Sequence, residues 1–328
     1  MKVVKLTSNY LFNEIPDVEK KIDTFGYKAC KISLAKKWQF VVPETVFLSG
    51  GLVKEIFEKK HIPTEILSHL KNKFIAIRPS PVADQFKKNG SFLYIGLDDQ
   101  SFDTLKHSVG VKSALEIYLS FLRMFALTVY NLDLENCDEL KELLESLKSQ
   151  EQVIVESSLC KISRIKQLIS LETGSNFPKN TSEQLVEVIN SIYKKWISPT
   201  QRILRDVSGR KSDELIPVFL QEMHFGLKSK PVEYFKVKNF DERTGKLGFQ
   251  CFRSDNRIKR ASFDLVSEEE VGSAPKVNKL RNLIESLTKK VKSPLEVSFL
   301  LEEDTLLLIG LKEIALTQKP FLEFVVSS

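Results

Sequence analysis

Any chemistry in this chain has to come from a few cations and carboxylates, because the familiar catalytic spacings are missing. The sequence contains no Gly-rich phosphate loop of either common kind, no nucleophile elbow and no HExxH metal pair. Its four histidines, His61, His69, His107 and His224, include no i, i+4 pair. Its four cysteines, Cys30, Cys137, Cys160 and Cys251, form no Cys-x-x-Cys. Zinc, disulfide and histidine-base chemistry therefore lack a framework, and thiols so spaced suit a reducing cytoplasm. Phosphate chemistry remains. Lys28 follows Gly26 at the head of an expected helix. Arg78 ends an expected buried strand, where a guanidinium can fork onto phosphate. Taken singly, each is better read as an ordinary surface cation.

Positioning these residues calls for mixed structure. Residues 40–48 form an apolar run suited to strands, residues 52–60 a short helix, and residues 74–77 a buried strand. That strand runs into Arg78-Pro79-Ser80-Pro81, and a polar stretch at 84–91 precedes a further strand at 92–97. From about Gly110 the period becomes helical, with Leu115, Leu119, Leu122, Phe125 and Val129, then Leu140, Leu143, Leu144 and Leu147. Thr181-Ser182-Glu183-Gln184 has the form of a capping box. It opens a helix with the stripe Leu185, Val188, Ile189, Ile192 and Trp196, and Pro199 marks the stop. Strands return at 215–221, then as a hairpin of 232–240 and 246–252 around a polar loop at 241–245. A basic helix at 277–292 and a final hairpin, 295–301 with 306–311 across 302–305, complete the pattern.

Composition excludes several classes. In 328 residues, 42% are hydrophobic and 28% charged, enough for a core and against disorder. No apolar run reaches the ~20 residues a membrane span needs, and the longest, Tyr118 to Leu132, is interrupted by Arg123. Met1-Lys2-Val3-Val4-Lys5 leads into no cleavable apolar stretch, so no secretory signal is expected. Forty-nine basic against 43 acidic residues give +6, dispersed among acidic neighbours as on solvated helix faces. A nucleic-acid contact through the basic helix is a distant alternative.

Short motifs at 25–32, 76–80, 92–99, 120–125, 173–178, 183–185, 196–199 and 218–226, taken with the order of these elements, give the chain a resemblance to the N-terminal nucleotide-binding region of the pyruvate phosphate dikinase and phosphoenolpyruvate synthase family, an ATP-grasp domain. Residues Phe25-Gly26-Tyr27-Lys28-Ala29-Cys30-Lys31-Ile32 are similar to the family's Gly-Gly-Lys-(Gly/Ala)-Ala-Asn-Leu. Ala76-Ile77-Arg78-Pro79-Ser80 is similar to Ser-Val-Arg-Ser-(Gly/Ser). Phe92 to Asp99 and Ser120 to Phe125 likewise fall where the family has Val-Leu-Asn-Leu-Gly-Leu-Asn-Asp and Arg-Arg-Phe-Ile-Gln-Met-Phe. The most specific series is Thr173-Gly174-Ser175-Asn176-Phe177-Pro178, Glu183-Gln184-Leu185, Trp196-Ile197-Ser198-Pro199 and Arg205. Val218 to Gly226 resembles Val-Asn-Val-Gln-x-Met-Val-Phe-Gly.

The departures cluster late in the chain. Residues 237–245 keep Thr244-Gly245 but lack the family's Thr-Arg and Pro. Gly248-Phe249-Gln250 is the nearest remnant of the Gly-Glu signature. The family's Asp-Ile-Glu-Phe and Leu-Gln-Thr-Arg stand here as Glu296-Val297-Ser298-Phe299 and Ile309-Gly310-Leu311-Lys312. Ser298 offers no charged oxygen, and Lys312 keeps a positive charge without a guanidinium fork.

The resemblance implies an α+β, ATP-grasp-like fold of two α/β lobes with an inserted helical subdomain. The lobes would span 1–110 and 206–328, with the helical part at 111–205. It implies ATP held by Lys28, Arg78, Gln221, Met223 and Lys312, and Mg²⁺ at Glu296. No Thr-Ser-His carrier motif occurs in the sequence. The expected function is therefore the nucleotide-binding half of a split phosphotransferase, acting with a partner chain that carries a phosphohistidine domain. The alternative is a degenerate, non-catalytic member with a regulatory or scaffold role.

Overall fold

The computed structural model describes residues 9–82, 90–133, 138–146, 155–241, 246–254, 264–265 and 275–314. The loop expected around Thr244-Gly245, most of the polar stretch at 84–91, Cys137, Leu147 and the first residues of the chain lie outside them. Two antiparallel five-stranded sheets and a set of helices make the chain α+β.

The first sheet contains β1 (Tyr10–Phe12), β2 (Thr45–Leu48), β3 (Ile75–Pro79), β4 (Phe92–Ile95) and β5 (Val218–Glu222), in the order β1-β2-β5-β3-β4. Only 45–48 of the apolar run at 40–48 is regular strand. β5 pairs with both β2 and β3, so a strand from the expected third unit is central to the first sheet. That position explains its composition. Val218, Phe219, Leu220 and Gln221 are all buried, as a strand covered on both faces requires. Val218 and Leu220 join Val46, Leu48, Ile75 and Ile77 in one core, while Phe219 and Phe47 enter another.

Helices α3 (Gly50–Lys59), α4 (Thr64–His69), α5 (Asp99–Val109), α6 (Val111–Met124), α7 (Asp138–Ser146), α8 (Val155–Thr173), α9 (Thr181–Trp196) and α10 (Pro199–Val207) supply the helical part of the chain. Several of them, α3, α6 and α9 among them, pack on the first core. In α9 the stripe Leu185, Val188, Ile189, Ile192 and Trp196 is buried as its spacing predicts. Its cap lies one residue earlier than expected. Asn180 Oδ1 accepts from the Glu183 amide (3.0 Å), and the Glu183 carboxylate accepts from the Lys179 amide (2.7 Å). Gln184 is thereby released for the core, where it is 1% exposed. It accepts from Gly96 N (2.8 Å) and donates to Leu97 O (2.9 Å), tying α9 to the end of β4. Replacing it leaves two buried backbone groups unpaired, so Gln184→Leu should cost about 3 kcal/mol in urea denaturation. An unchanged midpoint would contradict this role.

Pro199 stops α9 but also opens α10, capped by Ser198. Arg205, part of the most specific motif series, is buried inside the fold. It donates to Trp196 O (2.8 Å) and Ser212 O (2.7 Å), with its guanidinium 4.2 Å from the Trp196 ring. Among the described residues no helix is long and apolar enough to cross a membrane.

The second sheet has the order β10-β9-β6-β7-β8, from β6 (Glu233–Asp241), β7 (Lys246–Ser254), β8 (Asp264–Leu265), β9 (Leu295–Glu302) and β10 (Thr305–Glu313). The last hairpin closes more tightly than expected, through Glu303 and Asp304 alone, with Glu303 at φ 53°. Helix α1 (Ile22–Phe25) leads into α2 (Tyr27–Lys37), and α11 (Pro275–Val291) follows β8. Ala29 and Ile32 of α2, with Leu280, Ile284 and Leu287 of α11, bury the face carrying Phe235, Val237, Val297 and Phe299. Along the opposite face run three cross-strand rows, because side chains alternate along each strand. The first is Tyr234–Leu300–Leu307, the second Lys236–Ser298–Gly310, and the third Lys238–Glu296–Lys312.

Candidate functional site

The start of α2 is held against the end of β3. Gly26, at φ 77°, is the residue before the helix, and a Cβ there would collide with the Ser80 carbonyl. Ser80 Oγ accepts from Ala29 N (2.9 Å), and Pro81 O accepts from Tyr27 N (3.2 Å). These bonds satisfy amides that a helix start otherwise leaves open. They also bring the second residue of α2, Lys28, beside the fourth residue of β3, Arg78.

Arg78 reaches across to the second sheet. In β10 the register jumps between Leu308, opposite Phe299, and Gly310, opposite Ser298. Ile309 is the extra residue of this bulge, left outside the ladder. Its carbonyl accepts from Arg78 Nη1 at 2.7 Å. The guanidinium lies 6.0 Å from the Phe219 ring.

Lys28, Arg78, Phe219, Glu296, Ser298 and Lys312 line one cavity of about 280 Å³ between the sheets. Among the described lining residues three are cations and one is a carboxylate. Burial lowers the Lys28 ammonium to about 8, with the positive charges of Arg78 and then Lys312 adding to the effect. A half-buried lysine held beside two other cations is an arrangement that an anion relieves.

Glu296 is not poised for a metal. It sits in the row between Lys238 and Lys312, and its carboxylate is 3.4 Å from Lys238 Nζ. Mg²⁺ on a polyphosphate ordinarily leans on one or two carboxylates as well as the phosphates. The residues present suit phosphate oxygens and do not suit the metal.

The other two residues expected at this site lie elsewhere. Gln221 is buried in β5, and its Nε2 has no hydrogen-bond partner among the described residues. Met223 Sδ accepts from Tyr94 N (3.2 Å), and its side chain lines a separate cavity of about 470 Å³ with His224 and Glu302. Sequence reasoning missed Lys238. Its two-residue spacing from Lys236 marks a shared strand face, but the register that sets it against Glu296 is not local. A larger groove, about 900 Å³, borders Asp99, Lys166 and residues 174–179. There Lys166 is paired with Asp99 (2.8 Å) and Arg164 with Glu139 (2.7 Å), while Lys179 is a third cation on the lining.

Comparison with known proteins gives a partial likeness. No family model matches the chain. It is 23% identical over 190 residues to the chloroplastic pyruvate, phosphate dikinase of Flaveria trinervia, covering 55% of this chain and 20% of that protein. The corresponding protein of Flaveria pringlei is 24% identical over 190 residues, with the same coverage. That of Flaveria bidentis is 25% identical over 140 residues, 41% of this chain and 14% of the relative. The matched part thus spans a fifth or less of these relatives.

Proposed function

We propose that this chain binds a nucleotide by its phosphates and serves as the nucleotide-binding part of a dikinase-type phosphotransferase, with ATP-grasp-like lobes around the site. The observation carrying this reading is the convergence of Lys28, Arg78 and Lys312, from three distant stretches of sequence, on one cavity. At about 280 Å³ it lies near the lower end of small-molecule sites, about 300–1,000 Å³, and suits the phosphates of a nucleotide. The likeness to pyruvate, phosphate dikinases supports ATP as the nucleotide. In this reading the phosphoryl acceptor is a histidine on a separate carrier chain. Cys30, Cys160 and Cys251, in no disulfide, accord with a reducing, cytoplasmic setting.

The arrangement at Glu296 favours a second reading, in which the chain binds nucleotide without turning it over and acts on a partner instead. Fast phosphoryl transfer depends on positioning and charge neutralisation, and a carboxylate engaged by lysine contributes little to either. Calorimetry with ATP tests the shared element. Arg78→Ala should weaken binding about 30-fold, the loss of one charge-assisted contact. Lack of binding by the unaltered protein at millimolar ATP would overturn both readings. Release or transfer of radiolabelled γ-phosphate separates them.

A further inference from the structure

We infer that this site takes its polyphosphate without a divalent cation, with lysines occupying the electrostatic place of the metal. The inference rests on the nucleotide-binding reading above and concerns what accompanies the nucleotide.

Three observations support it. First, the row Lys238–Glu296–Lys312 places a lysine on each side of the carboxylate. The Lys238–Glu296 pair is largely withdrawn from water, with side chains 19% and 21% exposed. A divalent ion approaching Glu296 would have to displace a cation from a pair that solvent screens poorly. Second, the neighbouring row offers Ser298 and Gly310, a hydroxyl and no side chain, so among the described residues these two strands place no second carboxylate one row away on this face. Third, Lys28, Arg78 and Lys312 already face the cavity. A triphosphate brings up to four negative charges, and Mg²⁺ would cancel two of them. In a partly buried site, attraction between fixed cations and the ligand falls as the ligand's charge falls. The metal would therefore subtract from binding here.

The test is a calorimetric titration of the full chain with ATP, once in EDTA and once in excess Mg²⁺. ATP should bind in EDTA at least as tightly as with Mg²⁺, and up to about tenfold tighter. Lys238→Ala releases Glu296 and should abolish that preference, while Lys238→Arg should keep it. Thermal melts of both variants show whether either has merely lost its fold. Binding seen only with Mg²⁺ would overturn the inference and leave the nucleotide-binding reading standing. Binding in neither buffer would overturn both.

Discussion

Gly26→Ala should destabilise the protein by more than about 3 kcal/mol, the largest effect of any single methyl group at this site. Two causes add. At φ 77° an L side chain strains the backbone, and the new Cβ would enter the space of the Ser80 carbonyl. Backbone on both sides leaves no flexible group to move aside. Relief requires lifting α2 from the end of β3, which breaks the bonds from Ala29 N to Ser80 Oγ and from Tyr27 N to Pro81 O. Lys28 would then part from Arg78, so whatever folded fraction survives should bind ATP poorly. Urea denaturation measures the first effect and calorimetry the second. A variant with unchanged midpoint would show that α2 and Ser80 are not in close contact.

The second large effect is a dependence of nucleotide affinity on pH. Unliganded Lys28 titrates at about 8, below its ordinary value of 10.5. A bound polyanion favours the ammonium and raises that value in the complex. Below pH 8 the lysine is already charged, so its contribution to affinity is level. Above pH 8, binding must draw a proton from solution, and affinity should fall by up to about tenfold per pH unit. Between pH 8 and 10 the loss approaches about 100-fold. Titrations in two buffers of different ionisation enthalpy should show little proton uptake at pH 7 and close to one proton at pH 9. Lys28→Met should flatten the profile, and a slope that survives this substitution would assign it to another group.

Stability of the unliganded protein follows the opposite course. Because the folded value is the lower one, the charged lysine costs stability below pH 8. That cost is relieved as pH rises from 8 toward 10.5. Lys28→Met should therefore stabilise the protein at pH 7 while weakening its binding. The same half-buried charge serves the ligand at the expense of the fold.

Local features of this fold were legible in the sequence, and non-local ones were not. The stripe on α9 and the two apolar runs of the final hairpin around their polar turn depend on a few neighbouring residues, and both elements form where expected. The resemblance to dikinases drew attention to Lys28, Arg78, Glu296 and Lys312, which share a cavity. It did so equally for Gln221 and Met223, which do not reach it. What separates the two groups is strand facing and register, set by pairing partners up to hundreds of residues away. The pairing of Lys238 with Glu296 has the same origin. So does the bulge at Ile309, whose carbonyl finds its donor 231 positions back along the chain.

The central place of β5 has a consequence for how the protein is made. A nascent chain halted just after residue 207 would carry β1 to β4 and helices α1 to α10, yet lack the strand that joins β2 to β3. Val46, Leu48, Ile75 and Ile77 would have no Val218 or Leu220 between them. The open edges of β2 and β3 would remain exposed until residues 218–222 left the ribosome. During that interval the emerging polypeptide presents two sticky apolar strands, the kind of surface that chaperones cover and that aggregates when they do not.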